Sequence, residues 1–196
     1  ATDSSEESRS NGVFIDSDRY FIYKQPCVQR SSLDFFVTDS LRKYLERSKN
    51  NRKENKKLLS QWAKRKDLDQ LFHEAHEEVF EKVDCLQCAN CCKTTSPIFR
   101  DVDIDRISKH LGMRPSDFTY KNLHIDEDGD WVLNSSPCLF LDTDNYCKIY
   151  EVRPKACREY PHTDRKNMSQ IMELTFKNTL VCPAVSEIVE RIKGHI

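Results

Sequence analysis

Four cysteines fall within eight residues, Cys85-Leu-Gln-Cys-Ala-Asn-Cys-Cys92. Three thiols at i, i+3 and i+6 converge only when the backbone folds around something at their centre. A metal ion or a metal–sulfur cluster is the usual occupant. Four more cysteines follow, Cys138, Cys147, Cys157 and Cys182, so eight of the nine lie between residues 85 and 182. The ninth, Cys27, stands alone near the start and is not expected to be a ligand.

Disulfides are the competing use of so many cysteines. Their number is odd, and adjacent Cys91 and Cys92 cannot bridge each other without strain. The chain begins on polar, acidic Ala-Thr-Asp-Ser-Ser-Glu-Glu rather than on an apolar leader. The expectation is free or metal-bound thiols in a reducing compartment, cytoplasm or organelle matrix.

Composition narrows the function further. A net charge of -1 and a pI near 6.7 exclude a globally basic nucleic-acid binder. Four scattered glycines leave no phosphate or dinucleotide cradle, so no nucleotide cofactor is expected. The apolar runs are only a few residues long, so no membrane span is expected. Hydrophobic content of 38% is modest for a core, and metal staples would help it hold.

The pattern along the chain predicts a helix-rich α+β fold. Residues 1–50 read as an N-terminal extension, with a polar start, apolar segments at 13–15 and 20–23, and a short helix over 39–49. Residues 51–196 read as the cysteine-rich domain. Its first stretch, 52–66, is basic, with Arg52, Lys53, Lys56, Lys57, Lys64, Arg65 and Lys66 against only Glu54. Most such runs are solvated helix faces; this one also offers a surface to RNA or an acidic partner.

After Asp67, the residues Leu68, Leu71, Phe72, Ala75, Val79, Phe80 and Val83 recur at helical spacing and lead straight into Cys85. A helix capped by Asp101 and stopped at Gly112 follows, then a short one near Ser116. Residues 123–125 and 131–133 predict a hairpin around an Asp-Gly turn, and 138–141 with 146–150 a second. A short helix over 154–159, one from Thr163 or Asp164 through Thr179, and one opened by Pro183 complete the reading.

The C-x2-C-x2-C spacing with a distant Cys182-Pro183 matches the ligands of a 4Fe–4S cluster. Cys85 and Cys88 would equally serve as one close pair of a zinc site, with the second pair drawn from the later cysteines. Adjacent Cys91 and Cys92 point in different directions and so take different roles. Among the histidines, His162 is the best placed to compete as a ligand, while His73 and His76 share one helix face. The acidic loop 126–130 lacks the ligand positions of a calcium loop.

Four stretches together resemble the bacterial CxxCxxCC family, described as zinc- or iron-chelating proteins. They are the 85–93 run, Ser136-Pro-Cys-Leu-Phe-Leu141, Tyr146-Cys-Lys-Ile-Tyr-Glu-Val-Arg-Pro-Lys-Ala-Cys-Arg-Glu-Tyr-Pro-His162 and Val181-Cys-Pro-Ala184. The resemblance spans about 55–194. It implies metal bound by Cys85, Cys88, Cys91, Cys92, Cys138, Cys147, Cys157 and Cys182, as a 4Fe–4S cluster or Zn(II). One branch of the family includes flagellin lysine methylases, which join such a module to methyl transfer. The absence of a glycine-rich cofactor loop argues against carrying that activity over.

The reading therefore leans to a non-catalytic metal-binding protein, a structural or accessory subunit that docks on a protein partner through residues 1–50. The alternative is an iron–sulfur-dependent redox or protein-modifying enzyme.

Overall fold

The computed structural model describes residues 42–195. Cys27 and the apolar segments 13–15 and 20–23 lie outside the described residues. Most of the described chain is helical, and its only named sheet has two strands. The helix-rich α+β expectation therefore holds.

The described chain builds two apolar cores. The first is helical. Residues 42–50 are helical, followed by α1 (Arg52–Trp62) and α2 (Leu68–Phe80). On α2 the apolar stripe falls as its spacing demands: Leu68, Phe72, Ala75 and Val79 are buried. Much of the basic segment is used internally. Lys56 pairs with Glu173 at 3.4 Å, the Arg52 and Lys56 cations lie over the Phe176 ring, and Arg65 pairs with Asp67 at 2.6 Å.

The other side of this core comes from the C-terminal end. α8 (Met172–Thr179) and α9 (Pro183–His195) pack on α1 and α2, with Val185, Ile188, Val189 and Ile192 buried. Pro183 at the first helical position costs α9 no hydrogen bond. The expected helix from residue 163 begins late: Asn167 is left-handed, Met168–Ile171 form a 3-10 turn, and only then does α8 start. Asp69 explains the delay, since its carboxylate accepts from the Asn167 and Met168 amides at 2.7 and 2.8 Å and ties this turn to α2.

The second core lies between the cysteine run and residue 160. It holds α5 (Asp101–His110), α6 (Pro115–Asn122) and the hairpin β1 (Leu123–Ile125) with β2 (Trp131–Leu133). The register pairs Leu123 with Leu133 and Ile125 with Trp131, as the Asp-Gly turn predicts. Phe118 stacks on Phe140 and packs at a tilt against Phe99 through the centre. α5 is capped by Asp103, whose carboxylate returns to the Arg100 amide, rather than by Asp101.

The second expected hairpin is reduced to one bridge, Leu141 opposite Cys147. Asp142 and Asp144 take the Thr143 and Tyr146 amides with their side chains, and Tyr150 enters a 3-10 turn, so no ladder extends.

Candidate metal centre

The cysteine run forms two short helical pieces, α3 (Cys85–Cys88) and α4 (Asn90–Thr94). Asp84 caps the first by accepting the Leu86 amide at 2.9 Å. Ala89 between them is left-handed, with φ 45° and ψ 22°, a conformation that costs a non-glycine residue roughly 1–2 kcal/mol. That kink breaks what would otherwise be one helix and re-aims the thiols that follow.

The run is tied to both cores. The Asn90 side chain donates to the Val181 carbonyl at 2.6 Å, holding α4 against the start of α9. The Cys138 amide donates to the Cys92 carbonyl at 2.8 Å, and Asn145 donates to the Gln87 carbonyl at 3.0 Å. Cys182 is buried within the helical core, while Cys138 and Cys147 pack against the second core.

The later cysteines are positioned by their own networks. Cys157 sits on α7 (Lys155–Glu159), whose first amide donates to the buried Asp103 carboxylate at 3.2 Å. Asp103 also accepts from Arg100 and Arg106, and Arg106 reaches the Val152 and Arg153 carbonyls. This network fixes the approach to α7. Nothing in the local sequence of α7 announces it, because its carboxylate lies 52 residues upstream.

The thiols sort by their neighbours. Burial pushes Cys85 up to about 11, with Cys88 the next cause, even though the residue as a whole is exposed. Burial pushes Cys182 up to about 12, with Cys85 and Cys88 among its neighbours. Cys91 is raised by its hydrogen bond to Cys92, by burial and by Cys182 and Cys85. Burial likewise raises Cys138 to about 11 and Cys157 to about 12, and raises Cys147. The thiols acting on these three are Cys92, Cys138 and Cys147. None of Cys138, Cys147 and Cys157 is a principal neighbour of Cys85, Cys91 or Cys182.

Cys85, Cys91 and Cys182 act on one another with Cys88, and Cys138, Cys147 and Cys157 are acted on by Cys92, which also reaches Cys85. The two groups meet at the Cys91–Cys92 pair, where the sulfurs stand 4.0 Å apart. This contact, helped by Lys93, lowers the Cys92 thiol. Within each group the sulfurs stand apart: among the described residues no three His, Cys, Asp or Glu side chains are drawn together tightly enough to chelate one ion.

The donor chemistry nonetheless suits a thiophilic metal. Thiols held protonated mainly by burial are the groups a cation would ionise, and all-sulfur sets select zinc or iron–sulfur clusters. A buried Tyr160 hydroxyl without a hydrogen-bond partner lies beside Cys182, Cys91 and Cys85.

Other candidates fall elsewhere. His76 bonds to the Thr163 hydroxyl at 2.7 Å and His73 to the Arg165 carbonyl at 3.1 Å. His162, left-handed at φ 67°, has its imidazole lowered by burial, with Glu159, Arg165 and Asp164 rather than thiols around it. Arg153 lies 3.8 Å over the Tyr150 ring and favours the thiolates of Cys147 and Cys157, while Glu159 pairs with Lys155. No helix among the described residues is long and apolar enough to cross a membrane.

Clustered cysteines held on a helix-rich α+β scaffold define a cysteine-rich metal-binding class of domain. The family model of the CxxCxxCC domain, described as "Putative zinc- or iron-chelating domain", matches residues 84–182, and the chain belongs to that family. No curated protein and no solved structure matches it.

Proposed function

We propose that this protein holds two four-thiolate metal centres, one on Cys85, Cys88, Cys91 and Cys182 and one on Cys92, Cys138, Cys147 and Cys157. What supports this most is that Cys91 neighbours Cys85 and Cys182, while Cys138, Cys147 and Cys157 neighbour Cys92, on either side of the Cys91–Cys92 contact. Each set draws on one apolar core and on the shared run, so bound metal would staple the two cores together. Either zinc or a 4Fe–4S cluster satisfies four thiolates.

The test is metal content and visible absorption of protein purified without oxygen. Two zinc ions per chain and no colour support structural zinc. Iron and sulfide in the amounts of two clusters, with a broad band near 400 nm, support iron–sulfur centres. A single metal equivalent sinks the two-centre reading, and none sinks metal binding altogether. Cys27→Ser should leave the content unchanged.

We further propose an accessory role in a larger assembly, with residues 1–50 as the docking extension to domain 51–196. Val102, Tyr120 and Ile125 expose apolar surface on the second core, Tyr120 at 89%. Lys53, Lys57, Lys64 and Lys66 remain exposed for an acidic partner or RNA. Co-purification at native abundance tests this: a monomer in cell extract sinks it.

A further inference from the structure

The Tyr160 hydroxyl is buried and meets no hydrogen-bond partner. Leaving such a group unpaired costs about 1–3 kcal/mol, so its placement calls for a partner that the free thiols do not supply. Its position is held from several sides. The residue closes α7, with its amide bonded to the Ala156 carbonyl, and its ring packs against the helical core. Asn178 then clips the neighbourhood together: its side chain donates to the Pro161 carbonyl at 3.2 Å, and its carbonyl accepts the Cys182 amide at 2.7 Å. The hydroxyl is thereby held beside Cys182 and next to Cys91 and Cys85. A tyrosine hydroxyl carries its proton at neutral pH and so donates to an anionic sulfur.

The Cys182 sulfur sits at the start of α9, where the Val185 and Ala184 amides already face it and favour its thiolate. A third donor at the same sulfur fits a metal-bound thiolate, which accepts several hydrogen bonds, better than a neutral thiol, which accepts weakly. α7 thus serves both sets: Cys157 belongs to the second, and Tyr160, three residues on, faces the first.

We propose that the Tyr160 hydroxyl donates a hydrogen bond to the Cys182 thiolate of the first metal centre and so strengthens that centre's hold on its metal. This rests on the metal-binding reading above. Tyr160→Phe keeps the ring and removes only the donor. Cobalt(II), whose sulfur-to-metal charge-transfer bands report thiolate hydrogen bonding, is titrated into the full-length wild-type and variant chains under reducing conditions. Circular dichroism checks that both are folded.

The expected result is equal cobalt stoichiometry in both chains. In the variant, a charge-transfer band should move to longer wavelength, and cobalt should be lost from one centre to a competing chelator at roughly tenfold lower chelator concentration. Identical bands and affinities in the two chains overturn the inference while leaving metal binding intact. If the wild-type chain shows no sulfur-to-cobalt bands, the metal reading itself fails, and this inference with it.

Discussion

The two apolar cores differ in what they can hold unaided. The helical core gathers fifteen buried residues from α1, α2, α8 and α9, including the fully buried Phe72, Val79, Val185 and Ile188. The second gathers eight, spread over two modest helices and a hairpin of three-residue strands. Buried area, and with it hydrophobic stabilisation, scales with such content, and small cores usually need a staple. The thiols follow the same asymmetry. Cys182 is part of the large core, whereas Cys138 and Cys147 stand at the margin of the small one. On the two-centre proposal, the helical core is therefore the one expected to survive without metal, and the second core the one expected to depend on it.

The largest expected effect comes from stripping the metal. Thiolate-bound structural metal contributes on the order of 10 kcal/mol, comparable with the whole stability of a domain. After chelation, hydrogen exchange should collapse first in α5, α6, β1 and β2, while amides of α2 and α9 stay protected. Equal loss in both halves would break the comparison.

Acid should act next. Cys85, Cys91 and Cys182 in the first set, and Cys138, Cys147 and Cys157 in the second, have thiols raised above the ordinary range. The metal-free fold therefore keeps these protons at neutral pH, and a bound ion must displace them. Metal affinity should fall as pH falls, by about a thousandfold per pH unit for three protons displaced at a centre. Competition titrations at pH 7 and 8 measure the slope, and a slope near one proton would show that the raised thiols are not the ligands. In the metal-free protein the sign reverses. Raised thiol values give stability that is present below the unfolded value of about 8.5 and lost as pH rises through the folded ones.

The smallest effect sharpens the comparison inside the second core. The Asp103 carboxylate, fully buried, is held down at about 2: burial opposes its charge, but the Arg100 and Arg106 side chains and the Arg100 and Lys155 amides outweigh burial. A depressed carboxylate stabilises the fold above its unfolded value of about 3.9, and that stability is lost as pH falls toward 2. Asp103→Asn should cost about 2 kcal/mol at neutral pH, read as a lower denaturant midpoint. The difference from wild type should close between about pH 4 and pH 2. Because Asp103 holds the first amide of α7, the variant should also loosen the Cys157 set before the Cys182 set. Unchanged stability at pH 7 would remove Asp103 as the brace of α7.

Local patterns made much of the fold legible. The stripe from Leu68 to Val79, the Asp-Gly turn between β1 and β2 and the Pro183 start of α9 are nearest-neighbour signals, and each forms where its spacing predicts. The misplaced boundaries share a cause: a distant or lateral side chain captured backbone amides. Asp69 holds back the start of α8, Asp142 and Asp144 limit the second hairpin to one bridge, and Asp103 takes over the cap expected of Asp101. Tyr160 carried no motif at all, since its hydroxyl matters only through what surrounds it in space.

The sequence by itself determined that this chain gathers thiols for a metal, because eight cysteines at those spacings in a chain of this composition have few other uses. It also determined a helix-rich α+β scaffold, because hydrophobic period and turn chemistry are local. Which thiols become neighbours was decided only in three dimensions. Cys91 and Cys92 keep their sulfurs 4.0 Å apart, yet the left-handed Ala89, the Asn90 bond to the Val181 carbonyl and the Cys138 bond to the Cys92 carbonyl link the segment that carries them to both cores. Side-chain direction depends on those long-range contacts, and spacing along a chain carries no record of them.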